Sequence, residues 1–115
     1  MIVCAGILAD YYQNNGGKVF YFGKPYKEVY EKCLAFLNKV NPAISNKDVL
    51  VIGDSLETDI LGANKAGIKS LLIADGIHSK QLYKNSAASL SLKSLKPLSQ
   101  EFSAFPDYLI KSFIF

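Results

Sequence analysis

Apolar positions along the chain fall into two rhythms. Tyr26, Val29, Tyr30, Cys33, Leu34 and Leu37 recur at i, i+3, i+4, i+7, i+8 and i+11, which predicts one amphipathic helix, opened at Pro25 and stopped by Asn41-Pro42. Ile7, Leu8, Tyr11 and Tyr12 have the same spacing within 4–15, ahead of Asn14-Asn15-Gly16-Gly17. Elsewhere short unbroken runs replace the helical period. Val49 to Ile52 reads as a strand buried on both faces, as in a parallel sheet. Lys18 to Phe22, Ser70 to Ala74 and Tyr108 to Ile110 read as further strands. The expected sheet uses 18–22, 49–52, 70–74 and 108–111. Leu56, Ile60 and Leu61 start a helix that reaches Ala66, with Gly67 placed for a left-handed cap. Beyond His78 the pattern weakens. Ser79 to Lys84 suits one or two helical turns, 85–96 is expected to be an irregular loop, and Leu98, Phe102 and Phe105 mark a helix from Pro97. Alternating strand and helix predicts an α/β fold, a partial doubly wound, Rossmann-like, mainly parallel sheet with helices on both faces.

Chemistry concentrates at the strand end Gly53-Asp54-Ser55-Leu56-Glu57-Thr58-Asp59. In open α/β sheets ligands sit beyond the carboxyl ends of the strands. Asp54 stands there, and Asp59 follows early in the helix. Asp54, Ser55 and Glu57 also suit helix capping, but one cap needs one such residue. Two converging carboxylates make a hard-oxygen site suited to Mg²⁺.

Composition narrows the partners. The 115 residues suffice for one domain or part of one, and half are hydrophobic. A net charge of +3, with basic residues scattered, argues against nucleic acid. All 13 basic residues are lysine, so a phosphate must be met by ammonium groups or backbone N–H groups rather than a guanidinium fork. Cys4 and Cys33 show no CxxC spacing, and neither a leader nor a membrane span is visible in the sequence, so a cytoplasmic setting with reduced thiols is expected. Cys33 lies on the helical stripe and is assigned to packing. Cys4 has no histidine paired with it, and His78 suits a turn better than a catalytic base.

Gly23-Lys24-Pro25, Gly53-Asp54 through Thr58-Asp59, and Gly62-Ala63-Asn64-Lys65-Ala66-Gly67-Ile68 occur in one order, each at a strand boundary. With Tyr30 and Gly76-Ile77-His78, these segments resemble the carboxyl-terminal part of a haloacid dehalogenase (HAD)-superfamily phosphatase. The similarity is narrowest to the class IIA sugar-phosphate, nitrophenyl-phosphate and pyridoxal-phosphate phosphatases, and covers roughly Cys4 to His78. The resemblance implies that Lys24 bonds the nucleophilic carboxylate and the substrate phosphate. It implies that Asp54 ligates Mg²⁺, and that Asp59 ligates the metal or supports it and its waters. The substrate would be a small phosphorylated molecule.

The sequence departs from this pattern in one respect. Such enzymes attack phosphorus with the first Asp of an Asp-x-Asp pair, forming an aspartyl-phosphate, and no Asp-x-Asp occurs here. The expectation is therefore the carboxyl-terminal part of a HAD core, without its first strand and cap domain. It would keep the lysine and acidic motifs of a Mg²⁺-dependent phosphomonoester hydrolase but lack the nucleophile. The competing expectation is a non-catalytic remnant, or the partner-binding half of a split HAD-like protein, open to self-association or complementation by an amino-terminal half. An unrelated doubly wound binding domain ranks below both, because no glycine-rich phosphate loop is present.

Overall fold

The computed structural model describes residues 5–84 and 90–114. Helix α1 (Ala5–Asn14) precedes an extended segment, and α2 (Lys27–Val40) follows it. Strand β1 (Leu50–Gly53) then enters a single π-turn, Leu56–Ile60, continued by α3 (Leu61–Ala66). Strand β2 (Lys69–Ile73), α4 (Ser79–Lys84), α5 (Leu92–Phe102) and β3 (Tyr108–Ile110) complete the order. The three strands pair in parallel as β1-β2-β3, with Ile52 opposite Leu71 and Leu72 opposite Leu109. This is the expected partial Rossmann-like α/β architecture.

One sheet face holds the core. Leu72 and Ala74 of this face pack with Leu56 and Ile60 of the π-turn, Leu82 of α4 and Leu95 of α5. Each buried leucine or isoleucine among these contributes about 1.5–3 kcal/mol. The other face carries Leu50, Ile52 and Tyr108, which are 42, 43 and 46 % exposed. The expectation that β1 is buried on both faces is therefore corrected. β1 is an edge strand among the described residues, with neighbouring backbone on one side and helical cover on one face.

Residues 18–22 form no strand, although their β-forming composition predicts one. A strand needs a hydrogen-bonding neighbour, and β-propensity expresses packing on a pleated surface more than a backbone preference. Here side chains hold the segment instead. The Tyr21 hydroxyl donates to Asp10 of α1, its ring stacks on Tyr26, and the Lys32 ammonium lies over the Phe22 ring. Phe20 is left 77 % exposed. The Cα radius of gyration is 16.4 Å, above the ~13 Å usual for a compact chain near this length. Accordingly, α1 has no buried residue.

Several boundaries shift for local reasons. Helix α2 starts at Lys27, with Pro25 in the turn before it. Its stripe buries Tyr30 and half-buries Val29, Leu34 and Leu37, but Cys33 is exposed rather than packed. Cys4 lies outside the described residues. Helix α5 starts at Leu92, so 92–96 is helical and not loop, while 85–89 lies outside the described residues. The Ser91 Oγ accepts the Ser94 N–H and the Ser94 Oγ accepts the Ser91 N–H, forming a capping box there. Leu95 and Ser99 then face the core, and Pro97 sits inside the helix instead of starting it. The helix ends at Phe102, with Ser103 left-handed and Phe105 outside. Gly67 caps α3 with φ +65°, as its position predicts.

Strand β3 is tied on by a reciprocal latch. The Ser70 N–H donates to Asp107 Oδ2 at 2.8 Å, and the Asp107 N–H returns a bond to the Ser70 carbonyl at 3.0 Å. Asp107→Ala strands a donor on a residue with no exposed surface, and should lower unfolding stability by about 1–2 kcal/mol. Asp107→Asn, which keeps an acceptor, should lose clearly less. Urea midpoints of the three proteins check this, and equal loss in both variants would contradict the latch.

Candidate functional site

Two glycines at adjacent strand ends make room for two carboxylates. A Cβ on Gly53 would fall 2.3 Å from Asp59 Cγ, and one on Gly76 would fall 2.1 Å from Asp54 Cβ. Both are closer than real Cβ contacts allow, so the side chains seat where only glycine permits. The π-turn brings Asp59 back over the end of β1. Its N-terminus is closed by Ser55, whose Oγ accepts the Thr58 N–H at 3.2 Å. An extra residue per turn of this kind is frequent at functional sites.

Asp59 is buried, its side chain 8 % exposed, and both of its oxygens are engaged. Oδ1 accepts from Lys24 Nζ at 2.6 Å, and Oδ2 accepts the Ser55 N–H at 3.1 Å. Lys24 itself is 53 % exposed, so its ammonium reaches from the Gly23-Lys24-Pro25 turn to the strand end while staying in contact with solvent. One of its three N–H donors is used on Asp59. Asp54 is held differently. Its Oδ2 accepts the Ile77 N–H at 3.2 Å, and Oδ1 has no partner among the described residues. The structure thus joins Lys24 to Asp59 directly. It sets Asp54 at the same strand end, turned to the Gly76-Ile77 corner of β2. No cluster of three His, Cys, Asp or Glu suited to a metal is present among the described residues.

Two supporting residues tie this corner to its surroundings. The Tyr30 hydroxyl, from α2, lies 3.4 and 3.3 Å from the carbonyls of Thr58 and Asp59. The helix that follows the lysine turn is therefore fixed to the acidic corner. His78 is 6 % exposed and its Nε2 accepts the Leu56 N–H at 3.0 Å. The Nδ1 atom faces Gln81 Oε1 at 3.2 Å, which places the proton on Nδ1. The ring also packs on Phe102 at 5.1 Å. His78 thus braces the start of the π-turn. The sequence offered Gly76-Ile77-His78 as a motif but no sign of this partner, because the bond runs to a backbone group 22 residues away. Ser55 was visible only as a cap, and its backbone hold on Asp59 follows from the π-turn.

The HAD-hydrolase-like family profile matches residues 21–98, which include the lysine turn, the acidic corner and the brace. The chain belongs to this family. That family is the HAD superfamily, and the chain is of its class IIA-like type. Over 76 residues it is 33 % identical to the ribonucleotide monophosphatase NagD of Escherichia coli K12, covering 66 % of this chain and 28 % of NagD. Its fold matches a haloacid dehalogenase-like hydrolase from Brucella suis 1330 with a TM-score of 0.64 and 25 % identity, over 96 % of this chain and 37 % of that one. A p-nitrophenyl phosphatase from Archaeoglobus fulgidus shares the fold at a TM-score of 0.62 and 20 % identity, over 93 % of this chain and 35 % of that one. This chain spans little more than a quarter of the length of NagD. No helix among the described residues is long and apolar enough to cross a membrane.

Burial, reinforced by the negative charge of Asp59 and by Cys33, holds the Tyr30 phenol above its ordinary range. The unfolded chain therefore ionises this group first as the pH climbs. Stability tied to Tyr30 is intact below the unfolded value of about 10 and is lost as the pH rises through the folded value. Urea midpoints measured from pH 8 to 11 should fall more steeply in the wild-type chain than in Tyr30→Phe. Parallel curves would show that Tyr30 is not held in its neutral form by the fold.

Proposed function

We propose that this chain carries the lysine and acidic motifs of a Mg²⁺-dependent phosphomonoester hydrolase and lacks the attacking carboxylate. The observation that supports it most is the 2.6 Å contact between Lys24 Nζ and the buried Asp59 carboxylate, at a strand end that also presents an uncommitted oxygen of Asp54. Asp59 orients the ammonium and leaves two of its N–H donors for phosphate oxygens. A hydrogen-bonded ammonium of this kind offsets the negative charge that spreads over a phosphoryl group in transfer.

Asp54 fits a Mg²⁺ ion. Mg²⁺ takes hard oxygen ligands, commonly through one or two carboxylates with water and phosphate completing the shell, and Asp54 Oδ1 has no hydrogen-bond partner among the described residues. When bound, the ion would add positive charge opposite the phosphate. Each Asp59 oxygen already accepts one hydrogen bond, so its part in this reading is to hold Lys24 and the Ser55 N–H and to support the metal or its waters with the remaining lone pairs. Small phosphorylated molecules are the substrates this reading assigns, in a protein of cytoplasmic setting.

A second reading is favoured by the edge of β1. Its outer side has no strand beside it among the described residues, and Leu50 and Ile52 are exposed on the uncovered face next to it. An edge of this kind is a template for another strand. In this reading the chain is a non-catalytic or partner-binding half, and a separate amino-terminal half completes the sheet.

Purified 1–115 should not turn over an aryl phosphate above background in Mg²⁺, since phosphoryl transfer needs a positioned attacking group. Mg²⁺ titration followed by NMR should move amide signals at Asp54, Gly76 and Ile77, with weak affinity, and Asp54→Asn should abolish the shifts. Turnover that disappears in Asp54→Asn would reveal an unrecognised nucleophile. Shifts unchanged by Asp54→Asn would remove Asp54 from the metal site.

A further inference from the structure

Residues 18–22 run extended beside α1, with alternate side chains turned in and out. Val19 and Tyr21 are half-buried, whereas Lys18, Phe20 and Phe22 are exposed. That is the alternation of a β-strand. No main-chain N–H or carbonyl of 18–22 has a hydrogen-bond partner among the described residues. Such an edge is a template for a second strand.

The chain also exposes more surface than its size requires. Its accessible area is 8206 Å², against about 6,200 Å² expected of a compact monomer of this length. The surplus, on the order of 2,000 Å², exceeds the ~800 Å² that each partner gives to a standard interface.

Charge beside the edge selects the partner. Phe20 and Phe22 line a hollow of about 380 Å³ with Glu28, Glu31 and Lys32 of α2. Lys32 Nζ lies 4.9 Å from the centre of the Phe22 ring, and Glu31 pairs with Lys27 at 3.1 Å. Glu28 has no ion-pair partner among the described residues, and neither has Lys18. In an antiparallel pair centred on Phe20, Lys18 of each copy falls opposite Phe22 of the other, beside the hollow that holds Glu28. Phe20 then faces Phe20 of the second copy, a favourable cross-strand aromatic pair. The same register serves both copies, so the contact closes as a two-fold dimer.

We infer that residues 18–22 are the interface of a homodimer. The segment pairs antiparallel with the same segment of a second copy, Phe20 against Phe20, and Lys18 of each copy meets Glu28 of the other. This pairing accounts for a β-forming run that finds no neighbour within its own chain. It is separate from the open edge of β1. The paired strands end two residues before Lys24, so the dimer also holds the lysine turn.

Sedimentation equilibrium of 1–115 should show reversible dimers. Phe20→Glu sets like charges opposite each other at the two-fold and should raise the dimer Kd about tenfold or more. Phe20 is 77 % exposed, so loss of folding is not an explanation. Lys18→Glu and Glu28→Lys should each weaken the dimer about three- to tenfold, and the two together should return it to near the wild-type Kd. Amide exchange at Phe20 should slow as dimers form. A chain that stays monomeric at NMR concentrations overturns the inference. So does a dimer that survives Phe20→Glu but dissociates in Ile52→Lys, which would move the interface to the edge of β1. A double charge reversal that restores nothing would overturn the register that joins Lys18 to Glu28.

Discussion

The contact on which the arrangement depends is the ion pair between Lys24 and Asp59. A carboxylate buried as deeply as Asp59 is unfavourable unless its charge is matched and its lone pairs are bonded. Lys24 matches the charge and the Ser55 N–H takes the second oxygen. Both require the chain to leave β1 through a π-turn instead of a regular helix, and both require Gly53 to have no side chain. Tyr30 and His78 then hold that turn from α2 and from the loop after β2. Three stretches distant in sequence, 24–30, 53–60 and the loop at His78, thus converge on one corner around a buried charge.

The sheet explains why this corner is presented and not enclosed. Parallel strands are normally covered on both faces, yet here cover is concentrated on the side of Leu72 and Ala74. The covered face fixes the π-turn through Leu56 and Ile60, which have no exposed surface. The strand ends are therefore rigid, while Lys24 and Asp54 remain accessible above them. In the proposed reaction this asymmetry lets one rim be anchored by packing and still receive a charged ligand.

Much of this was legible in the residues. The runs at Val49 to Ile52 and Ser70 to Ala74, the stripe of α2 and the cap at Gly67 follow from local periodicity and backbone preference, and the structure bears them out to within a residue or two. The lysine turn and the acidic corner were legible as motifs, but their pairing through Asp59 rather than Asp54 was not. That choice depends on the extra residue of the π-turn, which no periodicity encodes. Residues 18–22 show the opposite failure: β-forming side chains with no neighbouring backbone to pair with. Helix α5 was misplaced because Pro97 is a start signal in most contexts, and the Ser91–Ser94 box outweighed it. Cys33 occupied a helical position that reads as core, but the stripe of α2 is narrower than the sequence suggests, since α2 packs on α3 over a short length.

The central claim is that Lys24 and Asp59 act as one unit, and a double-mutant cycle in urea denaturation measures this directly. Lys24→Met and Asp59→Asn, singly and together, isolate the pair from the packing around each residue. Because Lys24 is about half exposed, water screens the pair, and a coupling on the order of 1 kcal/mol is predicted. The double variant should then be less damaged than the two single losses imply. Strict additivity would contradict the account, because it would mean that Asp59 is held by its backbone bond alone and that Lys24 is not positioned by it.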